Sequence, residues 1–375
     1  MKFHEMSRMY KKRGRVHLFS IDRAAPPVKT SQMTSRGIID RISPLWLGIG
    51  ISGSLLVVMF VIETALGRWS GLLVGGEFDP LAKVSEGMLR DIRITIVHCL
   101  VIGYLPAALL HALRSGRRTV LALQKSLDCT VSECNSLAAS VQLSKRGLLI
   151  TGLVGLLLAS AAPYFTPPVP PAPWNPATWS PEVAWHRTLG PLTMIWGLWL
   201  IYTIVTVSVR MSHIANTLAR VDLLDLSPLA PFTQLGLTNS LLSIGTLSIW
   251  SLVMIETGFG QMMVIIGGAT LIGTAFAMLV PVHGVHKRIC QSKEEALGWV
   301  NGQIVEQQVL FQGAQAGQPS GRMADLVTYR GMVQDVPEWP FTLSTYMRVA
   351  LYVLLPVAAW GFGIVAEEIM ARVLF

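Results

Sequence analysis

The chain has 375 residues, of which 51% are hydrophobic and 14% charged, with a formal net charge of +8 and a mean hydropathy of +0.50. Soluble domains carry about a quarter charged residues, so this composition excludes an ordinary globular protein and points to lipid as the solvent. The basic excess sits at the ends of apolar runs, where cytoplasmic loops collect Lys and Arg; this argues against nucleic acid and for anionic lipid headgroups.

The first 43 residues form a basic polar tail with ten Lys/Arg, among them Lys11, Lys12, Arg13 and Arg15. The first apolar run begins only near Pro44, too late for a cleaved signal peptide. An organellar presequence is the alternative for so Arg-rich a segment, and a cytoplasmic tail the simpler reading.

A bilayer core of about 30 Å takes roughly 20 apolar helical residues. Segments near 44–66, 95–113, 147–165, 186–209, 236–256 and 261–282 have that length, and 347–366 adds a seventh. The expected fold is therefore an all-α polytopic transmembrane bundle of six to seven spans. The Lys/Arg bias orients it: loop 67–94 carries four, balanced by acids, whereas 114–146 carries Arg114, Arg117, Arg118, Lys125, Lys145 and Arg146. This predicts a cytoplasmic N-terminus. The proline-dense loop 167–185 has no Lys or Arg and places Trp174, Trp179 and Trp185 at the outer interface.

Segment 210–235 returns to the cytoplasm with Arg210 and Arg220, and spans five and six form a hairpin through ETGFG. The helix of span six is predicted to run on through HKRICQSKEEALGWVNGQIVEQQ and stop at the loop GAQAGQPSG, 313–321. With 115–146 it would make a small cytoplasmic helical extension, spans two and six packing together. The expected organisation is a tail at 1–43, a six-span bundle at 44–284, a cytoplasmic helix and loop at 285–346, and a membrane helix at 347–375. Pro356, Gly361 and Gly363 leave that last helix free either to cross or to re-enter.

The blocks VDLLDLSPLAPFTQLGLTNSLL (221–242), LVPVHGVHKRICQSKEEAL (279–297) and EWPFTLSTYMRVALYVLLPVAAW (338–360) resemble a group of uncharacterised bacterial multispan inner-membrane proteins. The likeness covers roughly 221–375. It implies a bacterial inner membrane and supplies no activity.

Charges inside a membrane are costly and usually functional, and no Asp, Glu, Lys or Arg lies near a span centre. This weighs against ion-coupled transport through buried carboxylates. There is no HExxH, no aspartate pair and no Ser/His dyad at depth, so no enzyme is expected. His98 and His186 toward the outer side, with His111, His213 and His283 toward the inner, offer a haem arrangement. His98 and His111, however, lie about 140° apart around one helix. His283, His286 and Cys290, at i, i+3 and i+7, share a helix face and could begin a zinc site with Cys129, Cys134 or a donor from outside the chain as fourth ligand. The alternative is histidines beside Lys287 and Arg288 at headgroup level.

No disulfide framework is implied by the four cysteines. On span five, Gly236, Asn239, Ser243 and Thr246 form a polar stripe, and Thr270 and Thr274 do so on span six. Such a stripe suits either a pore lining or a helix seam; Ala269, Gly273 and Ala277 read as packing. The expectation is a non-enzymatic subunit of a membrane complex or oligomer, without cofactor and in contact with anionic lipid. The alternatives are a homo-oligomeric channel or passive transporter and a haem- or metal-binding redox protein.

Overall fold

The computed structural model describes residues 42–65, 86–165, 181–252, 261–313 and 321–374. Outside them lie most of the basic tail, loop 66–85, the proline-rich loop with Trp174 and Trp179, the ETGFG turn and nearly all of GAQAGQPSG. The residues from Pro44 onward form one compact unit. It is all-helical: α1 (Pro44–Ala65), α2 (Glu86–Ala122), α3 (Val131–Ser140), α4 (Lys145–Phe165), α5 (Pro181–Leu218), α6 (Ala230–Ser251), α7 (Gln261–Gly313), α8 (Gly321–Asp335) and α9 (Leu343–Leu374). No strand occurs among the described residues, which show only two isolated bridges, Leu127 with Ala219 and Asp222 with Asp225.

Five stretches are long and apolar enough to cross a membrane: Pro44–Ile62, Ile94–Ala122, Val131–Ala161 over α3 and α4, Arg187–Leu218 and Gly267–Val309. α6 is not among them, because Asn239, Ser240, Ser243, Thr246, Ser248 and Ser251 dilute its apolar residues. Its surroundings explain the difference. It packs on α2, α7 and α9, and Phe232, Leu235, Leu237, Ile244 and Leu247 are all buried. A helix walled by protein need not be apolar all round.

Two cores stack along the bundle. One gathers Val97, Val101, Leu105, Leu200, Ile204 and Ala277. The other gathers Leu123, Leu127, Cys134, Met211, Phe232, Leu235, Val285, Ile289 and Val336. The extended ends of α2 and α7 each pack on α5, and both contribute to the second core together with residues of Val207–Ala219. At Gly284 the approach of α7 to α5 is so close that any Cβ would overlap the Ser212 carbonyl.

Local chemistry sets the connections. Thr130 and Glu133 form a reciprocal capping box that starts α3: the Glu133 amide donates to Thr130 Oγ1 at 3.3 Å, and the Thr130 amide to Glu133 Oε2 at 2.7 Å. Arg220 reaches Asp128 at 2.7 Å, and the Arg210 guanidinium donates to the Ser140 carbonyl, tying α3 to the end of α5. Before α6 the Asp225 carboxylate accepts from the Ser227 hydroxyl at 2.6 Å and amide at 3.0 Å. These bonds hold its carboxyl below the usual range.

The structure also joins Cys129 to Cys134 in a disulfide, correcting the reading of both as free thiols and removing them as ligand donors. The two flank the start of α3 and the capping turn brings them within bonding distance, a closure that spacing alone does not reveal.

Candidate functional site

Two constellations bring polar side chains together. The first lies where α5, α6 and α7 meet. Gly236 lets α6 approach so closely that a Cβ there would stand 2.6 Å from the Met278 carbonyl oxygen of α7. At that crossing Asn239, fully buried, donates from Nδ2 to Ser208 Oγ of α5 at 3.2 Å. Ser240 donates to the Thr274 carbonyl of α7 at 3.1 Å. Asn239 Oδ1 and Thr274 Oγ1 are buried without a hydrogen-bond partner among the described residues.

The other members of the sequence stripe behave differently. Ser243 turns its hydroxyl onto the Asn239 carbonyl at 3.1 Å and Thr246 onto the Leu242 carbonyl at 3.2 Å, both within α6. Thr270 is half-buried one turn before Thr274. Of the small residues on α7, Ala277 is buried, whereas Ala269 is exposed and a Cβ at Gly273 would meet nothing.

The second constellation lies on α7 beyond Pro281. His286 and Cys290, one turn apart, face the non-helical stretch 336–342 that follows α8, and Glu338 completes a group whose donor atoms all lie within 4.8 Å of one another. Cys290 Sγ is 3.7 Å from His286 Nδ1 and 3.8 Å from Nε2. His286 Nδ1 is 3.0 Å from the Glu338 carbonyl oxygen, and its ring stacks on Trp339 at 4.1 Å and 7°.

The stretch is fastened on both sides. Val336 is buried in the second core, Lys293 Nζ donates to its carbonyl at 3.0 Å, and Thr233 of α6 donates to the Pro340 carbonyl at 3.2 Å. His283, named from sequence as the first ligand of the triad, is exposed, its ring 6.3 Å from that of His286. It lies outside the group, and Glu338 stands in its place.

Of the haem pair, His98 bonds through Nδ1 to the Ile94 carbonyl at 3.0 Å and meets Trp250 edge-on at 5.9 Å. His186 lies in the first turns of α5, and its side chain is outside the described residues. A third feature is an apolar cleft of about 570 Å³ between α1, α2 and α6, bordered by Leu45, Ile49, Leu56, Leu100, Tyr104 and His111.

Sequence reasoning missed Ser208, Ser240 and Glu338. The serines had a weak signal as hydroxyls within apolar runs. Glu338 had none, because it stands 52 residues from His286 along the chain. Compared with known families, curated proteins and solved structures, the chain shows no significant match.

Proposed function

We propose that the protein is a non-enzymatic, multi-pass subunit of an assembly in a bacterial inner membrane, with α6 and α9 crossing alongside the five more apolar stretches. Two contacts support the crossing of α9 beside α6. Thr233 near the start of α6 bonds the Pro340 carbonyl just before α9, and Ser251 at the end of α6 bonds the Pro356 carbonyl within it. The two helices thus rise in parallel over the same depth.

The observation that carries the subunit reading is the length of α7. Its 53 residues span about 80 Å at 1.5 Å per residue, against about 30 Å of hydrocarbon. The distal part cannot also be immersed. It carries exposed Trp299, Val305 and Val309, and α8 beside it exposes Val327 and Met332. Apolar side chains held out in water mark a surface for another protein. Arg114, Arg117, Arg118, Lys145, Arg146, Arg210 and Arg220 gather at the same end, which by the charge rule faces the cytoplasm and anionic headgroups.

The test is the mass and composition of the particle released from native membranes by mild detergent. Stoichiometric foreign subunits are expected. A particle built of this chain alone would overturn that reading in favour of a homo-oligomeric channel. Asn239 Oδ1 and Thr274 Oγ1 favour this second reading, since buried polar atoms without a protein partner call for water.

A further inference from the structure

We propose that His286, Cys290 and Glu338 bind a divalent metal ion of the zinc class. The donors are one imidazole, one thiolate and one carboxylate, the borderline set that zinc selects. Their separation is near what a single ion needs: with Zn–N of about 2.05 Å and Zn–S of about 2.3 Å, a tetrahedral angle puts nitrogen and sulfur about 3.6 Å apart. Sγ stands 3.8 Å from Nε2 and 3.7 Å from Nδ1, so a turn of the Cys290 side chain toward Nε2 brings the sulfur beside that lone pair.

The imidazole is oriented for this task. With the Nδ1 proton donated to the Glu338 carbonyl 3.0 Å away, the lone pair falls on Nε2, the outer-shell arrangement that fixes a metal-binding histidine. Stacking on Trp339 at 4.1 Å locks the ring plane while leaving its edge clear. Glu338 enters on a stretch pinned by Val336 and by Lys293 Nζ, which stands 4.0 Å from the Glu338 carboxylate. On binding, the Cys290 thiol gives its proton to solvent and the sulfur lone pair goes to the metal, with no redox change. Three protein ligands leave a fourth position for water or for a donor from a partner. The bound ion ties the approach to α9 onto α7.

The test uses the full chain in detergent, without a polyhistidine tag and in a Cys129→Ser, Cys134→Ser background, so that the neighbouring sulfurs contribute nothing. Metal-free protein is titrated with cobalt(II), then with zinc in competition. One cobalt per chain is expected, with thiolate-to-metal charge-transfer absorption and tetrahedral visible bands, both bleached by zinc. Cys290→Ser removes the charge-transfer band, Glu338→Gln weakens binding roughly tenfold or more, and His283→Ala changes nothing. Should Cys290→Ser not yield a monodisperse particle, Glu338→Gln, at an exposed side chain, carries the test. No charge-transfer band, a band that survives Cys290→Ser, or binding that needs His283 and ignores Glu338 overturns the proposal.

Discussion

Helices α1 and α4 and the helices α2 and α7 are all apolar enough to cross a membrane, yet they meet their surroundings differently. Only 11% of the Pro44–Ile62 window and 6% of the Val131–Ala161 window is buried within the chain, against 44% for Ile94–Ala122 and 39% for Gly267–Val309. Leu153, Leu157 and Leu158 of α4 and Val57 and Val61 of α1 face outward, toward lipid, where apolar surface costs nothing. The centre is held by other means. Between helices immersed in lipid there is no hydrophobic drive to associate, so close backbone approach and interhelical hydrogen bonds must do the holding. Gly236 against Met278, Gly284 against Ser212 and Asn239 with Ser208 supply both. α6, which carries Asn239, Ser240, Ser243, Thr246, Ser248 and Ser251, is packed against α2, α7 and α9, so polar side chains and close packing coincide there.

Three substitutions sharpen or break that contrast. The largest effect is expected at Gly284, where Ala drives a methyl into the Ser212 carbonyl and separates α5 from α7. A loss of about 3 kcal/mol is expected, read as a lower melting temperature and earlier proteolysis in detergent; an unchanged melt would mean that this crossing is not tight. Next is Asn239→Leu, which removes the bond to Ser208 and should cost about 1 kcal/mol without altering ion permeability of reconstituted vesicles. Abolished flux with an intact fold would hand the seam to the channel reading. The smallest effect belongs to Gly273→Ala, where a methyl meets nothing; stability should stay within about 0.5 kcal/mol. A penalty as large as that at Gly284 in particles from native membranes would show that another protein covers this face.

The lipid-facing helices were legible because uniform apolarity over 20 residues has one reading. The unbroken length of α7 was legible for a related reason: between Pro281 and Gly313 no proline interrupts it. The polar stripe of α6 was legible as a stripe and illegible as a mechanism. Spacing puts Asn239, Ser243 and Thr246 on one side, but it does not say that only Asn239 reaches a neighbour while the two hydroxyls fold back on their own helix. The metal-ligand group was half legible. His286 and Cys290 follow from helical spacing, whereas Glu338 arrives through the turn after α8, a long-range placement that local pattern cannot encode. The Cys129–Cys134 pairing is local, and it was hidden for another reason: it depends on how the Thr130–Glu133 cap bends the chain.

The buried bonds of the centre join segments made at different times. Ser240 must wait for an acceptor 34 residues further on, a delay of about 2–7 s at 5–20 residues per second, and the second core stays open until Val336 emerges. Until then Asn239 can already reach Ser208, but the newly inserted α6 holds Ser240 without its acceptor, in a solvent that offers it no hydrogen bond. Biogenesis of this protein thus leaves α6 half-finished until α7 follows it into place.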